Sequence, residues 1–312
     1  MEHRPLGVSG IEVSALSLGS WRTFERLPRE TGVAVMTAAR EKGIDFLDDA
    51  RYNDETGTAP LATGYSEVVF GELFRTAGWK RDDVVVANKL WWEFWPAESA
   101  AGELEGSLER MGFDYLDLVY SERPPVGLAV PEVVAAVSEL IASGKARAWG
   151  VLNWQSELIA EAAGFAASEG LPAPCTAQLP YSLAYREFVE DDLMIDALEA
   201  AGASVVASAV LAGGALTGKY ASSGAGGRLA RELDDPRREN AFRVGERLRG
   251  LADELGTTPS RLAIAFALAN PRVASVLFGA TSPEQVAENV GALDVLASLK
   301  PVALAQLRSV GD

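Results

Sequence analysis

The sequence predicts an α/β chain closed as a (β/α)8 TIM barrel. Three observations carry that expectation. A length of 312 residues suits one large α/β domain or two medium ones. Short runs rich in Val, Leu and Ile alternate eight times with longer segments of helical period. The first βα turn lacks the Gly-x-Gly-x-x-Gly of a doubly wound dinucleotide fold, the runner-up, and no shift of composition marks a second domain. Residues 1–312 are therefore read as one barrel domain.

The strand candidates lie at 15–18, 44–47, 84–87, 116–120, 146–151, 176–179, 204–207 and 274–278. Each is a short apolar run of the kind that suits a strand covered on both faces. Between the third and fourth, Leu104, Leu108 and Met111 share one helix face. Between the fourth and fifth, Val133, Val137 and Leu140 do the same, with Val134 and Ile141 alongside. Pro131-Glu132 and Pro259-Ser260 put proline in a first helical turn, and Ser282-Pro283-Glu284 reads as cap, proline and acidic residue. The Gly-Ala-Gly-Gly stretch at 224–227 falls between the seventh and eighth strands, where a barrel carries a long loop over its mouth.

Composition narrows the function. Hydrophobic residues make up 48% and charged residues 23%, a globular balance. With 28 basic and 44 acidic residues the net charge is −16, which disfavours nucleic acid and anionic membranes as partners. The one histidine, His3, lies in the N-terminal segment. That excludes Ser-His-Asp catalysis, His-ligated zinc and an internal imidazole acid, and no metal site is expected. The single Cys175 rules out an internal disulfide and suits a reducing compartment. Neither a charged-then-apolar leader nor an apolar run of about 18 residues is found, so the expected location is the cytoplasm.

In a barrel of this kind, chemistry sits at the C-terminal strand ends. Those ends read Asp48, Lys89, Glu122, Asn153, Gln178, Ser208 and Gly279. Any one polar residue there could be a helix cap or a satisfied rim group. Together they point to a site.

Four stretches carry a family resemblance over about residues 4–299. They are Gly43-Ile44-Asp45-Phe46-Leu47-Asp48-Asp49-Ala50, then Gly78-Trp79-Lys80-Arg81 through Asn88-Lys89, then Asp114-Tyr115-Leu116-Asp117-Leu118 through Arg123-Pro124. The fourth runs Ser275-Val276-Leu277-Phe278-Gly279-Ala280-Thr281 through Glu284-Gln285 and Glu288-Asn289. In this order they resemble the aldo-keto reductase superfamily, most closely its branch of voltage-gated potassium channel β-subunits. The resemblance implies NADP(H) bound without a Rossmann unit, and hydride transfer to a small carbonyl substrate with a tyrosine as general acid. A free tyrosine has a pKa near 10, so a cation beside it is needed to ease its ionisation. Lys89 would supply that cation and Asp48 would hold Lys89. In the family the tyrosine follows the aspartate by five positions, which here is Asn53. Tyr52 is the favoured acid and Tyr65, next to Ser66-Glu67 after an inserted 55–60 segment, is the alternative. A slip of one position would put Asp49 in the place of Asp48.

On the cofactor, the resemblance implies Asn153 and Gln178 at the carboxamide, Tyr181, Ser208 and Leu211 along the nicotinamide, and Lys219 and Arg228 at the phosphates. Gly279, Thr281, Gln285, Glu288 and Asn289 would hold the adenosine end. Several positions depart from the family. Glu122 stands where most relatives have histidine. A protonated Glu122 would donate to the substrate oxygen and suit an enone, whereas an ionised one would oppose an oxyanion, and a structural carboxylate paired with Lys89 or Arg123 is the plain alternative. Leu152 replaces a serine beside Asn153. Ser208 replaces a stacking ring, a loss on the order of 1 kcal/mol that Tyr181 could offset. Trp91, Trp92, Phe94 and Trp95 either cap the core or wall off the pocket. The leading expectation is an NADPH-dependent carbonyl reductase. A nucleotide-binding regulatory protein with weak reductase activity is second. A retaining glycosidase is disfavoured because Ser208 removes the second carboxylate from the seventh strand.

Overall fold

The computed structural model describes residues 1–218, 220, 235 and 238–312. Its strands are β1 (His3–Pro5), β2 (Glu12–Ser14), β3 (Leu16–Gly19), β4 (Phe46–Asp48), β5 (Val85–Leu90), β6 (Leu116–Ser121), β7 (Ala146–Leu152), β8 (Thr176–Pro180), β9 (Ser204–Ser208) and β10 (Val273–Phe278). Strands β3 to β10 close into a parallel barrel in chain order, with β10 joining β3. The expected (β/α)8 architecture is the one observed.

Two differences from the apolar runs have local causes. The second barrel strand begins later than 44, because the Asp45 carboxylate accepts from the Ser14 backbone N–H at 2.9 Å and draws its start toward β2. The third runs on to Leu90, since Lys89 still pairs in register with Tyr120 of β6 despite its charge. An apolar run marks only the part of a strand whose side chains need an oily environment. The backbone ladder continues past it.

Alternation decides which side chains enter the barrel. Phe46, Val85, Ala87, Leu118, Tyr120, Ala148, Leu152 and Val206 form the interior cluster. Their neighbours Leu47, Val86, Val119, Trp149, Val151, Val205 and Ala207 pack outward under the helices. The same period carries Asp48, Lys89, Gln178 and Ser208 to the inner face. The antiparallel β1–β2 hairpin adds Leu6, Ile11 and Val13 to the interior cluster. It thereby plugs the end where the strands begin and leaves the opposite end as the mouth.

The helix faces expected from spacing are buried: Leu104, Leu108 and Met111 in Ala100–Met111, and Val133, Val134, Val137 and Leu140 in Val130–Ala142. Pro259 and Pro283 open their helices, Pro259–Leu268 and Pro283–Val290. The 224–227 stretch, with Lys219 and Arg228, lies outside the described residues. Among the described residues no helix is long and apolar enough to cross a membrane.

Helix Tyr65–Thr76, which carries Ser66 and Glu67 toward the mouth, crosses Ala100–Met111 through backbone. A Cβ on Gly71 would stand 2.1 Å from the Met111 carbonyl oxygen. We expect Gly71→Ala to cost about 1–3 kcal/mol of stability, read as a lowered denaturation midpoint. An unchanged midpoint would contradict so close a crossing.

Candidate active site

The site begins with a charge inside the barrel. Lys89 Nζ donates to Asp48 Oδ1 at 2.6 Å and to the Asp49 carbonyl oxygen at 3.0 Å. The two side chains are 3% and 2% exposed. The second oxygen of Asp48 accepts from Gln178 Nε2 at 3.0 Å, across the interior from β8. Asp48 is therefore the aspartate that pairs with lysine. Asp49 points the other way, outward, and reaches Lys89 only through its backbone.

Tyr52 follows this pair on the exit of β4, with its ring centroid 6.0 Å from Lys89 Nζ and 6.1 Å from the ring of Trp91. Tyr65 starts the next helix and turns away. Its hydroxyl accepts from Arg29 Nη2 at 2.8 Å, and that guanidinium covers its ring. Burial, followed by the carboxylates of Asp48, Asp49, Glu25 and Glu67, pushes the Tyr52 phenol well above its ordinary value of 10.0. Tyr52 is a loaded acid at neutral pH. A cavity of about 200 Å³ opens beside it, bordered by Glu25, Arg26, Glu55 and Tyr65. The inserted segment forms its wall, and Arg22 and Arg26 both pair with Glu55 at 2.6 and 2.9 Å.

Glu122 leaves β6 with its backbone N–H on the Leu90 carbonyl. Its Oε1 accepts from the Arg123 backbone N–H at 3.1 Å and from Arg123 Nε at 3.4 Å. Arg123, not Lys89, is thus its cation. The four aromatics divide. Trp92 is buried and stacks edge-on with Trp95, while Phe94 is exposed under the Arg51 guanidinium and Trp91 lies beside Tyr52.

Strands β7 to β10 present the other half of the rim. Asn153 is exposed in a left-handed conformation, φ 56°, which asparagine tolerates better than most residues. Ser208 and Leu211 are half-buried, and Gly279, Thr281 and Gln285 are exposed. Gln285 Oε1 accepts from the Thr281 N–H at 2.9 Å. Glu288 takes Arg261 at 2.9 Å and the Thr258 hydroxyl, and Asn289 is buried behind it.

Tyr181 lies behind the other residues of the expected row. It is wholly buried, its ring packs on Phe266, and its hydroxyl donates to Glu190 Oε1 at 2.5 Å while accepting from Asn270. Burial and the hydrogen bond to Glu190 push it up to about 12. Its ring has no open face to stack on a ligand, so it packs the shell between β8 and the helices.

The aldo/keto reductase family model matches residues 15–311. The chain belongs to the aldo/keto reductase family. It is similar to a probable voltage-gated potassium channel subunit beta of Oryza sativa subsp. japonica, at 34% identity over 325 residues covering 99% of this chain and 96% of that one. It is also similar to a protein of the same name from Arabidopsis thaliana, at 32% identity with the same coverage.

The donor set of this family member suits an elongated dinucleotide. Exposed or half-exposed polar groups follow one another at the exits of β7, β9 and β10, from Asn153 through Ser208 to Thr281 and Gln285. Gln178 gives one amide N–H to Asp48 and keeps its other N–H and its oxygen for further partners.

Sequence reasoning missed several groups. Glu67 binds Asn88 and Arg110, Arg51 binds Glu98 and Glu103, and Ser20 meets Asp49. The doubled Asp48-Asp49 was visible, but only as a possible slip of register. Asp49 is fully buried and its Oδ2 has no hydrogen-bond partner. Burial and then Glu67 raise its pKa well above the ordinary 3.8, outweighing Ser20, the Ala50 N–H and Lys89. Unfolded, Asp49 ionises near 3.8, whereas folded it keeps its proton to higher pH. Between those values the folded form binds more protons, so this contribution to stability is full below 3.8 and is lost as pH rises through the folded value. We expect Asp49→Asn to gain stability relative to wild type as the pH rises above about 4 in denaturant titrations. A difference independent of pH would refute a protonated Asp49.

Proposed function

We propose that the chain is an NADPH-dependent oxidoreductase of the cytoplasm, one barrel domain that reduces a small carbonyl compound such as a ketone, aldehyde, enone or keto-sugar. The observation that carries this reading is a buried Lys89, fixed by Asp48, beside a tyrosine that holds its proton. When bound, the reduced dinucleotide supplies the hydride. The chain supplies the proton and the field. Tyr52 gives its hydrogen to the substrate oxygen as the carbonyl carbon is reduced. The Lys89 ammonium stabilises the charge left on the phenol oxygen. Asp48 and Gln178 keep that ammonium from wandering. Glu122, standing in the place of the family's histidine, orients the substrate oxygen. Trp91 and Phe94 offer an apolar wall to a ring or chain. Asn153, Gln178, Ser208 and Leu211, with Gly279, Thr281, Gln285, Glu288 and Asn289, hold the cofactor, and Lys219 and Arg228 are assigned to its phosphates.

We expect Tyr52→Phe to lower kcat by about 10²–10⁴-fold, the usual worth of a positioned acid, with NADPH affinity unchanged by fluorescence titration. Full turnover in that variant would remove Tyr52 from the chemistry. We expect Glu122→His to raise the rate on simple ketones relative to enones, measured as the ratio of kcat/KM for matched substrates. A ratio that does not move would assign Glu122 to structure.

Two observations favour a second reading, an NADP-binding regulatory or sensor protein with weak reductase activity. One amide N–H of Gln178 is given to Asp48, and the Tyr181 ring is buried. Both relatives carry the name of a channel subunit. Tight NADPH binding with no oxidation across a panel of aldehydes, ketones and enones would select this reading over the first.

A further inference from the structure

The three exits that carry Tyr52, Lys89 and Glu122 are joined behind the pocket by one carboxylate. Glu103 sits in the first turn of helix Ala100–Met111 and is 3% exposed. Its Oε1 accepts from the Trp91 backbone N–H at 2.8 Å and from Arg51 Nη2 at 2.9 Å, and its Oε2 accepts from the Trp92 N–H at 3.2 Å. Arg51 immediately precedes Tyr52, and Trp91 lies two residues beyond Lys89. The other arm of Arg51 is held by Glu98 Oε2 at 2.8 Å, and its side chain is 3% exposed.

The link continues to the third exit. Trp92 has φ 59°, a left-handed conformation that a tryptophan adopts only under constraint. Glu103 holds its backbone in that turn, and the indole N–H then donates to Ser121 Oγ at 3.0 Å. Ser121 donates in turn to the Glu122 carbonyl at 2.9 Å. Arg51, Glu103, Trp92 and Ser121 thus form one buried chain from β4 to β6, with no member inside the pocket. Burial is the largest influence on Glu103 and raises its pKa, opposed by the Trp91 and Trp92 N–H groups and by Arg51. Glu103 is answered there by two backbone N–H groups and one arm of a guanidinium.

We propose that Glu103, acting with Arg51, is a positioning residue that fixes the spacing of Tyr52, Lys89 and Glu122. It touches neither substrate nor cofactor. This inference rests on the reductase reading, because its kinetic effect is read through Tyr52 and Lys89. In Glu103→Gln one acceptor oxygen becomes a donor facing the guanidinium or an N–H, so the chain opens at its centre. A displacement near 1 Å at reacting groups costs about 10²-fold in rate.

The test uses the full chain. We expect Glu103→Gln to lower kcat by about 10²-fold, normalised to NADPH-binding sites counted by fluorescence. KM for the carbonyl substrate and the NADPH dissociation constant should stay near wild type, and Glu103→Asp should recover part of the lost rate. A merely structural role would instead lower kcat only in step with the NADPH-competent fraction, and that result overturns the proposal, as does wild-type kcat. Should Glu103→Gln not fold, Arg51→Lys keeps the charge and loses the fork, and the same kinetic split is required of it. Should the wild type turn over no carbonyl, the functional reading fails on its own. Amide exchange then decides the brace: the Trp91 and Trp92 amides must exchange about 10-fold or more faster in the variant, and unchanged exchange refutes it.

Discussion

An ammonium group cannot stay charged inside a barrel unless the same interior answers it. That constraint organises this molecule. Lys89 enters on the inward period of β5 together with Val85 and Ala87, so its charge arrives in an otherwise apolar core. Asp48 arrives on the inward period of the neighbouring β4, and Gln178 reaches from the far side to occupy its second oxygen. Removing either partner of such a pair strands a buried charge, at about 3–5 kcal/mol, while replacing both by apolar groups is often neutral. Stability alone does not require the pair. Its retention makes sense when the charge is wanted where it stands, next to a phenol.

Carboxylates outnumber cations in this neighbourhood, and the structure deals with each by a different device. Asp48 is neutralised by Lys89. Glu67 lies between Asn88 and Arg110, and Glu103 gathers two backbone N–H groups and a guanidinium. Asp49 has one hydroxyl partner and no cation on its side chain, and it responds by keeping its proton. That last choice matters for Tyr52, because an additional anion there would make the phenol a poorer acid. With Asp49 protonated, Asp48, Glu25 and Glu67 are the carboxylates that act on the phenol, and Lys89 is the cation beside it.

The parts legible in the sequence were those written as local period or strand-end chemistry. The eight apolar runs gave the barrel, and the polar residue closing each run gave Asp48, Lys89 and Glu122. The brace was illegible because its partners are distant along the chain. Arg51 and Glu103 stand 52 residues apart and Asp48 and Gln178 stand 130 apart, so no spacing rule connects them. The surroundings of Tyr181 were illegible for a related reason. An aromatic beyond a strand end can face the mouth or the helical shell, and Phe266, Glu190 and Asn270, which decide between them, come from elsewhere in the chain.

The described residues of the two halves of the rim differ in how they are bonded, and the difference follows the chemistry proposed for them. From β4 to β6, side chains bind side chains and strained backbone in a continuous buried path that includes Arg51, Glu103, Trp92 and Ser121. From β7 to β10, Asn153, Gly279, Thr281 and Gln285 are exposed and engaged mainly with their own neighbours. Proton transfer tolerates little error in distance, whereas an elongated cofactor held at many points averages small errors along its length. Among the described residues, the half proposed for proton transfer carries the buried path from Arg51 through Glu103 and Trp92 to Ser121, and the half proposed for the cofactor presents exposed polar groups.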